Sequence, residues 1–359
     1  MAANFDIWGD FLWYERYGSG HINDTYLIVF NQAGYQVRYI LQRINTSIFK
    51  NPDQLMENIA RVLDHSKKKL AGRKDATRRS LTLIGTSSGK PYYIDSDGSA
   101  WRAYLFIERA RTYDVLENAD FAYQAAKAFG GFQRLLADLP GERLYEVIPN
   151  FHNTPSRLAD FDKALAEDKL GRAASAKAEI DFVQNHRSMA PVFVDLLAKG
   201  EIPERVTHND TKINNVMLDD ETGEGICVID LDTVMPGVSL YDFGDLVRTS
   251  TSPAAEDEKD LTKVYARMEM FEALARGFLE GANGFLTPKE IELMPFSGEL
   301  ITFEIGIRFL TDYLQGDTYF KTHRPGHNLD RCRTQFKLVQ SLIEHEPEMN
   351  EIMKGLQKS

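Results

Sequence analysis

Residues 205–218, "RVTHNDTKINNVML", set a histidine, an aspartate, a lysine and three asparagines between two largely apolar stretches. His208, Asp210 and Asn215 fit the spacing H-x-D-x-x-x-x-N, and Lys212 stands two residues after the aspartate. These residue types suit phosphoryl transfer. A carboxylate orients the attacking hydroxyl and accepts its proton, an amide oxygen a few residues on ligates magnesium, and a cation offsets charge on the transferring group. An Asx-rich turn that caps its own backbone would use many of the same residues. By that argument His208 belongs to the scaffold of the loop.

The stretch "GICVIDLDTV" decides between the two readings. It is a short apolar strand ending in carboxylates, with Asp230 twenty positions after Asp210. A carboxylate in that place can hold magnesium. Asp232 has the same strand parity, so both carboxylates are expected to point toward one site. Upstream, "YGSGHINDTY" supplies Gly18, Ser19 and Gly20 between two extended runs, where backbone amides can approach phosphates with no Cβ in the way. Three other stretches mislead. "GTSSGKP" is one residue short of a phosphate-binding loop and reads as a hairpin turn. "DSDG" lacks the remainder of a calcium loop. "YDFGD", at residues 241–245, follows "IDLD" too closely, so Asp242 reads as a buried brace or cap.

The elements that must carry these residues fall into two parts. "HINDTYLIVF" and "YQVRYILQRI" read as strands, followed by a helix over "NPDQLMENIARVLDHSKKKL" and about three further strands in "SLTLIG", "PYYID" and "WRAYLFIE". After Glu108 helical spacing dominates, interrupted only around residues 205–230. The plan is α+β, with a β-rich N-terminal lobe over residues 1–108 and a mainly helical lobe over residues 109–359. In 359 residues, 43% hydrophobic and 26% charged, a net charge of −11 argues against a general nucleic-acid or membrane-surface binder. No apolar run is long enough to span a bilayer. The N-terminus lacks a signal-peptide pattern, and the two cysteines form no framework, so the expectation is a cytoplasmic protein acting on a small molecule. No protein partner is inferable.

The combination resembles the aminoglycoside phosphotransferase and choline kinase superfamily, the small-molecule relatives of protein kinases, across nearly the whole chain. "GSGHINDTY", "YILQRINTSIF", "FHNTPSR", "DKLGRAA", "THNDTKINN", "IDLDTVMPG", "YDFGD" and "RFLTDYLQGDTYF" are similar to N-acetylhexosamine 1-kinases. That resemblance implies a two-lobed protein-kinase-like fold, ATP and Mg²⁺, and phosphorylation of the anomeric hydroxyl of GlcNAc or GalNAc, with both epimers open. It makes Asp210 the base, Lys212 a phosphate-facing cation, and Asn215 and Asp230 the magnesium ligands. His21 and Arg308 would reach the sugar, with Asn23, Asp312 and Tyr319 nearby. Gly18, Ser19, Gly20 and Gln42 would face the phosphates, and the backbone around Phe106 and Glu108 the adenine. Gln42 stands where kinases carry a strand lysine, so either the amide suffices or Arg43 or another cation substitutes; Glu57 is the candidate helix carboxylate. Residues 151–157 share the likeness without an assigned role. Alternatives are a kinase with another hydroxyl acceptor, such as an aminoglycoside or amino alcohol, and a nucleotide-binding pseudokinase.

Overall fold

The computed structural model describes residues 1–18, 22–113 and 118–358. The chain divides into two compact units. The first comprises residues 1–111, 135–149 and 216–236, and the second residues 112–134, 150–215 and 237–359.

The first unit is built on a six-stranded sheet. Its strands are β1 (Asp10–Arg16), β2 (Asp24–Gln32), β3 (Tyr35–Arg43), β4 (Leu83–Ile84), β5 (Tyr93–Ile94) and β6 (Ala100–Leu105). The order is β1-β2-β3-β6-β4, with β5 pairing β6 at its other end. β2 and β3 pair antiparallel around the turn at Ala33–Gly34, both of which have positive φ. Apolar residues on one face of this sheet, Ile28, Phe30, Tyr39, Leu41 and Ala103, form a core with Phe5. Helix α1 (Pro52–Lys69) starts where Asn51 accepts the Gln54 amide, with Pro52 at the first turn. It buries Leu55, Met56, Ile59, Val62 and Leu63. Three strands precede or adjoin what the sequence suggests as two: β1, "DFLWYER", is exposed at every position, so it lacks the in–out alternation that marks a half-buried strand. A second, three-stranded sheet joins β7 (Ala110–Arg111) to the strands Val216–Asp219 and Gly225–Val228.

The second unit is helical. α2 (Ala119–Leu135), α3 (Thr154–Glu167), α4 (Lys177–His186), α5 (Val192–Ala198), α6 (Ser239–Ser250), α7 (Met268–Ala282), α8 (Pro288–Glu292), α9 (Met294–Gln315), α10 (His327–Glu344) and α11 (Glu346–Leu356) succeed one another around the short strand Arg205–Thr207. α9 is buried along almost its whole length and packs on α3, α6 and α10. The contact with α6 requires Gly244, because a Cβ there would lie 2.4 Å from the Ser297 carbonyl oxygen. The glycine in "YDFGD" is therefore a helix-packing residue. α3, absent from the periodicity reading, opens at Asn153, which accepts the Ser156 amide, with Pro155 in its first turn. No helix among the described residues is long and apolar enough to cross a membrane.

Candidate active site

In the second unit the polar loop leaves the strand Arg205–Thr207 and enters a short 3₁₀ turn at Ile213–Asn215. Its shape is set from below by α6. The carboxylate of Asp242, fully buried, accepts the amides of His208 (2.9 Å) and Asn209 (2.7 Å) and the side chain of Gln133 (2.6 Å). Burial pushes Asp242 above the usual carboxylate range, although His208 and these donors oppose the shift. One turn on, Asp245 accepts the Thr211 amide at 2.9 Å and is held by Arg248 at 2.8 Å. Asn209 sits between them at φ +65°, a left-handed position that asparagine tolerates better than most residues. His208 is buried edge-on to Phe129 and Phe132, and its Nδ1 accepts the Asp210 amide at 3.3 Å. Asp242 and His208 are thus scaffold.

This cradle leaves Asp210 raised toward solvent, its side chain about 26% exposed. Desolvation opposes its ionisation, but Lys212, His208 and Arg248 together hold its carboxyl below the ordinary value. Lys212 lies 3.2 Å from it. The Asn215 amide nitrogen donates to the Asp210 carbonyl oxygen (2.8 Å) and to its carboxylate (3.1 Å). Those two donations orient the amide so that its oxygen is the atom left to meet a cation.

Residues 151–157 acquire a role here. His152 is buried, with one ring nitrogen 3.0 Å from the Asn209 carbonyl oxygen and the other 2.7 Å from the carboxylate of Glu304 on α9. Thr154 donates to the second oxygen of Glu304 at 2.6 Å. His152 therefore braces the loop at the residue before Asp210. One turn along α9 from Glu304, Arg308 places its guanidinium 5.3 Å from the ring of Phe151, 5.9 Å from Tyr319 and 5.6 Å from Phe320. Among the described residues it makes no hydrogen bond or ion pair, so the ion-pair explanation for a buried-helix arginine does not hold. A second guanidinium is close: Arg157 donates to the Phe151 carbonyl at 2.9 Å, and desolvation and then the charge of Arg308 lower its pKa. Tyr319 is 58% exposed. Asp312 is committed to the loop that presents Tyr319, accepting the amides of Thr318, Tyr319 and Phe320 at 2.8–2.9 Å and Asn328 at 2.8 Å.

In the first unit the position lacking a lysine resolves differently from the candidates in its own strand. Gln42 on β3 is the register partner of Arg102 on β6. Its side-chain oxygen accepts Arg102 Nε at 3.0 Å, and its nitrogen donates to Thr25 at 3.0 Å. Arg102 is 1% exposed and pairs with Asp232. Burial alone would lower its pKa, but the charge of Asp232 and the more distant Asp230 hold it well above the ordinary value. Arg43 is not the substitute: it pairs with Asp24 on the exposed face. Glu57 is on the exposed side of α1, and the inward residue is its neighbour Asn58, which binds the backbone of Tyr145 and Val234.

Asp230 and Asp232 both act on Arg102, but not through the strand parity expected of them. The strand ends at Val228, Asp230 turns left-handed at φ +58°, and Asp232 follows in a 3₁₀ turn, so strand parity no longer applies. Asp232 gives one oxygen to Arg102 and the other to Asn23, at 2.6 Å. Asn23, expected near substrate, is held by that bond and by the Asn45 amide at 3.0 Å. Gly18 has φ +79° and open space where a Cβ would stand; Ser19, Gly20 and His21 lie outside the described residues. After β6, the Phe106 amide is taken by the Arg38 carbonyl, and the Glu108 carbonyl by Arg78. Phe106 also carries Arg38 over its ring at 4.1 Å, and Glu108 pairs with that arginine. The misleading stretches are turns: the Thr86 and Lys90 backbones close a hairpin, and Asp95 caps the amides of Asp97 and Ser99.

Residues 13–276 match the phosphotransferase enzyme family, and the chain belongs to that family. It is similar in structure to an aminoglycoside phosphotransferase from Alicyclobacillus acidocaldarius, with 13% identity and a TM-score of 0.57 over 96% of this chain and 93% of that one. An ethanolamine kinase from Plasmodium vivax is similar at 16% identity and a TM-score of 0.53, over 90% of this chain and 81% of that one. A choline kinase from Cryptosporidium parvum is similar at 13% identity and a TM-score of 0.50, over 99% and 92%. The fold is accordingly the two-lobed α+β fold of protein-kinase-like enzymes.

Proposed function

We propose that the protein is an ATP- and Mg²⁺-dependent kinase that phosphorylates the anomeric hydroxyl of an N-acetylhexosamine, GlcNAc or GalNAc. The observation that carries the acceptor class is Arg308. It is a guanidinium without a carboxylate partner among the described residues, walled by three aromatic rings and backed by the charge of Arg157. Guanidinium donors suit hydroxyl and carbonyl oxygens, and aromatic faces suit the C–H surface of a pyranose. The charges of Arg308 and Arg157, offset in part by Glu304 and by Asp160, disfavour a cationic acceptor beside them, such as the aminoglycosides and amino alcohols for which the structural relatives are named.

In this reading Asp210 aligns the acceptor hydroxyl and takes its proton, and its depressed pKa keeps it ionised at neutral pH. Lys212 balances charge beside it. The donor set fits magnesium, a hard cation that binds few protein oxygens and keeps other positions for water and phosphate. The Asn215 amide oxygen and the Asp230 carboxylate would hold it, while Asp232 is spent on Arg102. Magnesium, when bound, would screen the phosphate oxygens. Arg102, with Gln42, replaces the strand lysine as the buried cation of the nucleotide half, and Gly18 begins the phosphate loop. With the Phe106 amide and the Glu108 carbonyl already bonded, adenine would use the Phe106 carbonyl and the Ile107 or Glu108 amide.

The test is ATP consumption by the purified protein across a panel of hexosamines, other sugars, aminoglycosides and amino alcohols. Turnover on N-acetylhexosamines, reduced roughly 10²–10⁴-fold in Asp210→Asn, is expected. Preference for a cationic acceptor would refute the acceptor assignment, and nucleotide binding with no turnover on any acceptor would refute the enzyme.

A further inference from the structure

The stretch "DKLGRAA", residues 168–174, has no part in the chemistry proposed above, yet it grips the C-terminal end of α9. α3 stops at Asp168, which turns left-handed at φ +31°. Its carboxylate accepts the amides of Arg172 (2.8 Å) and Ala173 (3.1 Å), which fixes the short loop between them. From that loop Arg172 reaches across to α9. One guanidinium nitrogen donates to the Tyr313 carbonyl at 2.7 Å and to the Asp317 carboxylate at 2.6 Å, and the group lies 4.7 Å from the Tyr313 ring. Ser175 bonds the Tyr313 hydroxyl at 2.9 Å.

Asp317 is the joint between α9 and the loop that carries Tyr319. Gly316 closes the helix at φ +103°, and Asp317 follows at φ +61°, a left-handed conformation that an aspartate adopts at a cost. Its carboxylate is held at both oxygens, by Arg172 and by Asn328 at 2.9 Å. The side chains of Arg172 and Asp317 are only 30 and 14% exposed, so water screens this pair less than a surface pair. Two residues on, the exposed ring of Tyr319 stands beside Arg308. We infer that Arg172 is a positioning residue for acceptor specificity: through Asp317 it sets where Tyr319 stands beside Arg308, without itself touching the acceptor. The inference rests on the assignment of Arg308 and Tyr319 to the acceptor. The loop of Asp210 hangs from other residues, Asp242, Asp245 and His152, so the clamp acts on acceptor binding apart from the chemistry.

Steady-state kinetics on the full chain, with ATP and whichever acceptor of the panel the wild type turns over, test this. Arg172→Ala should raise the acceptor KM roughly tenfold and leave kcat and the ATP KM within about twofold, the pattern of lost binding without lost alignment. Arg172→Lys, which keeps the cation, should recover part of the loss. Arg172→Ala combined with Tyr319→Ala should be within about twofold of Tyr319→Ala alone, since one residue acts through the other. Hydrogen exchange at the amides of residues 318–320 should quicken roughly tenfold in Arg172→Ala while that of residues 208–211 holds. An unchanged acceptor KM overturns the inference, as does a kcat that falls while both KM values rise. A double variant whose two losses multiply also overturns it. A wild type that prefers an acceptor other than an N-acetylhexosamine refutes the acceptor assignment, and the same comparison on that acceptor still decides the role of Arg172. Where no acceptor reacts, or where Arg172→Ala does not fold, exchange in Asp317→Asn decides: faster exchange at residues 318–320 supports the clamp, and protection equal to that of the wild type overturns it.

Discussion

Glu299 offers a quantitative test of the helical unit. It lies on α9, 4% exposed, and one of its carboxylate oxygens has no hydrogen-bond partner among the described residues. Burial, with a smaller push from Glu346, raises its pKa from 4.5 to about 8. The sign follows from linkage. Below about pH 4.5 the carboxyl is protonated in both states and its burial is pH-independent. Between about 4.5 and about 8 the unfolded chain is ionised while the folded chain keeps the proton, so stability falls as pH rises. At about 1.36 kcal/mol per pH unit, the loss is about 3 kcal/mol by pH 7 and about 5 kcal/mol by pH 8. Glu299→Gln keeps the shape and removes the titration. The measurement is the thermal or urea midpoint of both proteins at pH 5, 6, 7 and 8. The stability of Glu299→Gln relative to wild type should climb steadily across that range, by about 4 kcal/mol in all, or roughly 2–4 °C of midpoint per kcal/mol. Any constant cost of burying the amide cancels in the slope. A difference that does not change with pH would refute the reasoning.

Arg102→Gln should leave Asp232 buried without its cation and destabilise the sheet-rich unit by about 3–5 kcal/mol. In variants that still fold, the ATP KM should rise with little change in acceptor KM, as steady-state kinetics would show. His152→Ala removes the brace from the Asn209 carbonyl without touching a substrate, so kcat should fall roughly tenfold or more. Both KM values should hold in the same kinetic measurements. Arg308→Ala should raise the hexosamine KM by roughly tenfold or more and leave the KM for ATP unchanged, since a charge-assisted hydrogen bond contributes ~1.5–3 kcal/mol. In competition assays it should also relax discrimination against amine-bearing sugars.

How much of this was legible in the sequence depended on how local each feature is. The loop at residues 208–215 and the order of strands before helices could be read because spacing along the chain carries them. The scaffold role of Asp242 followed from its position alone, and the buried carboxylate beneath the loop agrees. Arg102 could not be found that way, since its relation to Gln42 exists only through the pairing of β3 with β6, 60 residues apart. His152 and Glu304 are separated by 152 positions, and each alone reads as an ordinary polar residue. A buried glutamate in the middle of the apolar helix run "ITFEIGIRF" was the available signal. The parity argument for Asp232 failed because it assumed a strand running on from Val228 to Asp232, whereas Asp230 is already in a left-handed turn. β1 was hard to classify for the reason that makes it notable: a strand exposed on both faces has no hydrophobic alternation to read.

Helix α9 bears both Glu304, which through His152 fixes the loop of Asp210, and Arg308, one turn away and facing the aromatic rings. Because its neighbours enclose it almost end to end, a displacement at one of these residues is transmitted to the other as the motion of a stiff lever. Under the proposed function, acceptor binding at Arg308 and alignment of Asp210 would be geared together along this helix. Substitutions in residues 317–320, where Tyr319 is exposed and its loop hangs from Asp312, would alter the acceptor side with less effect on the loop of Asp210 than substitutions in the helix itself.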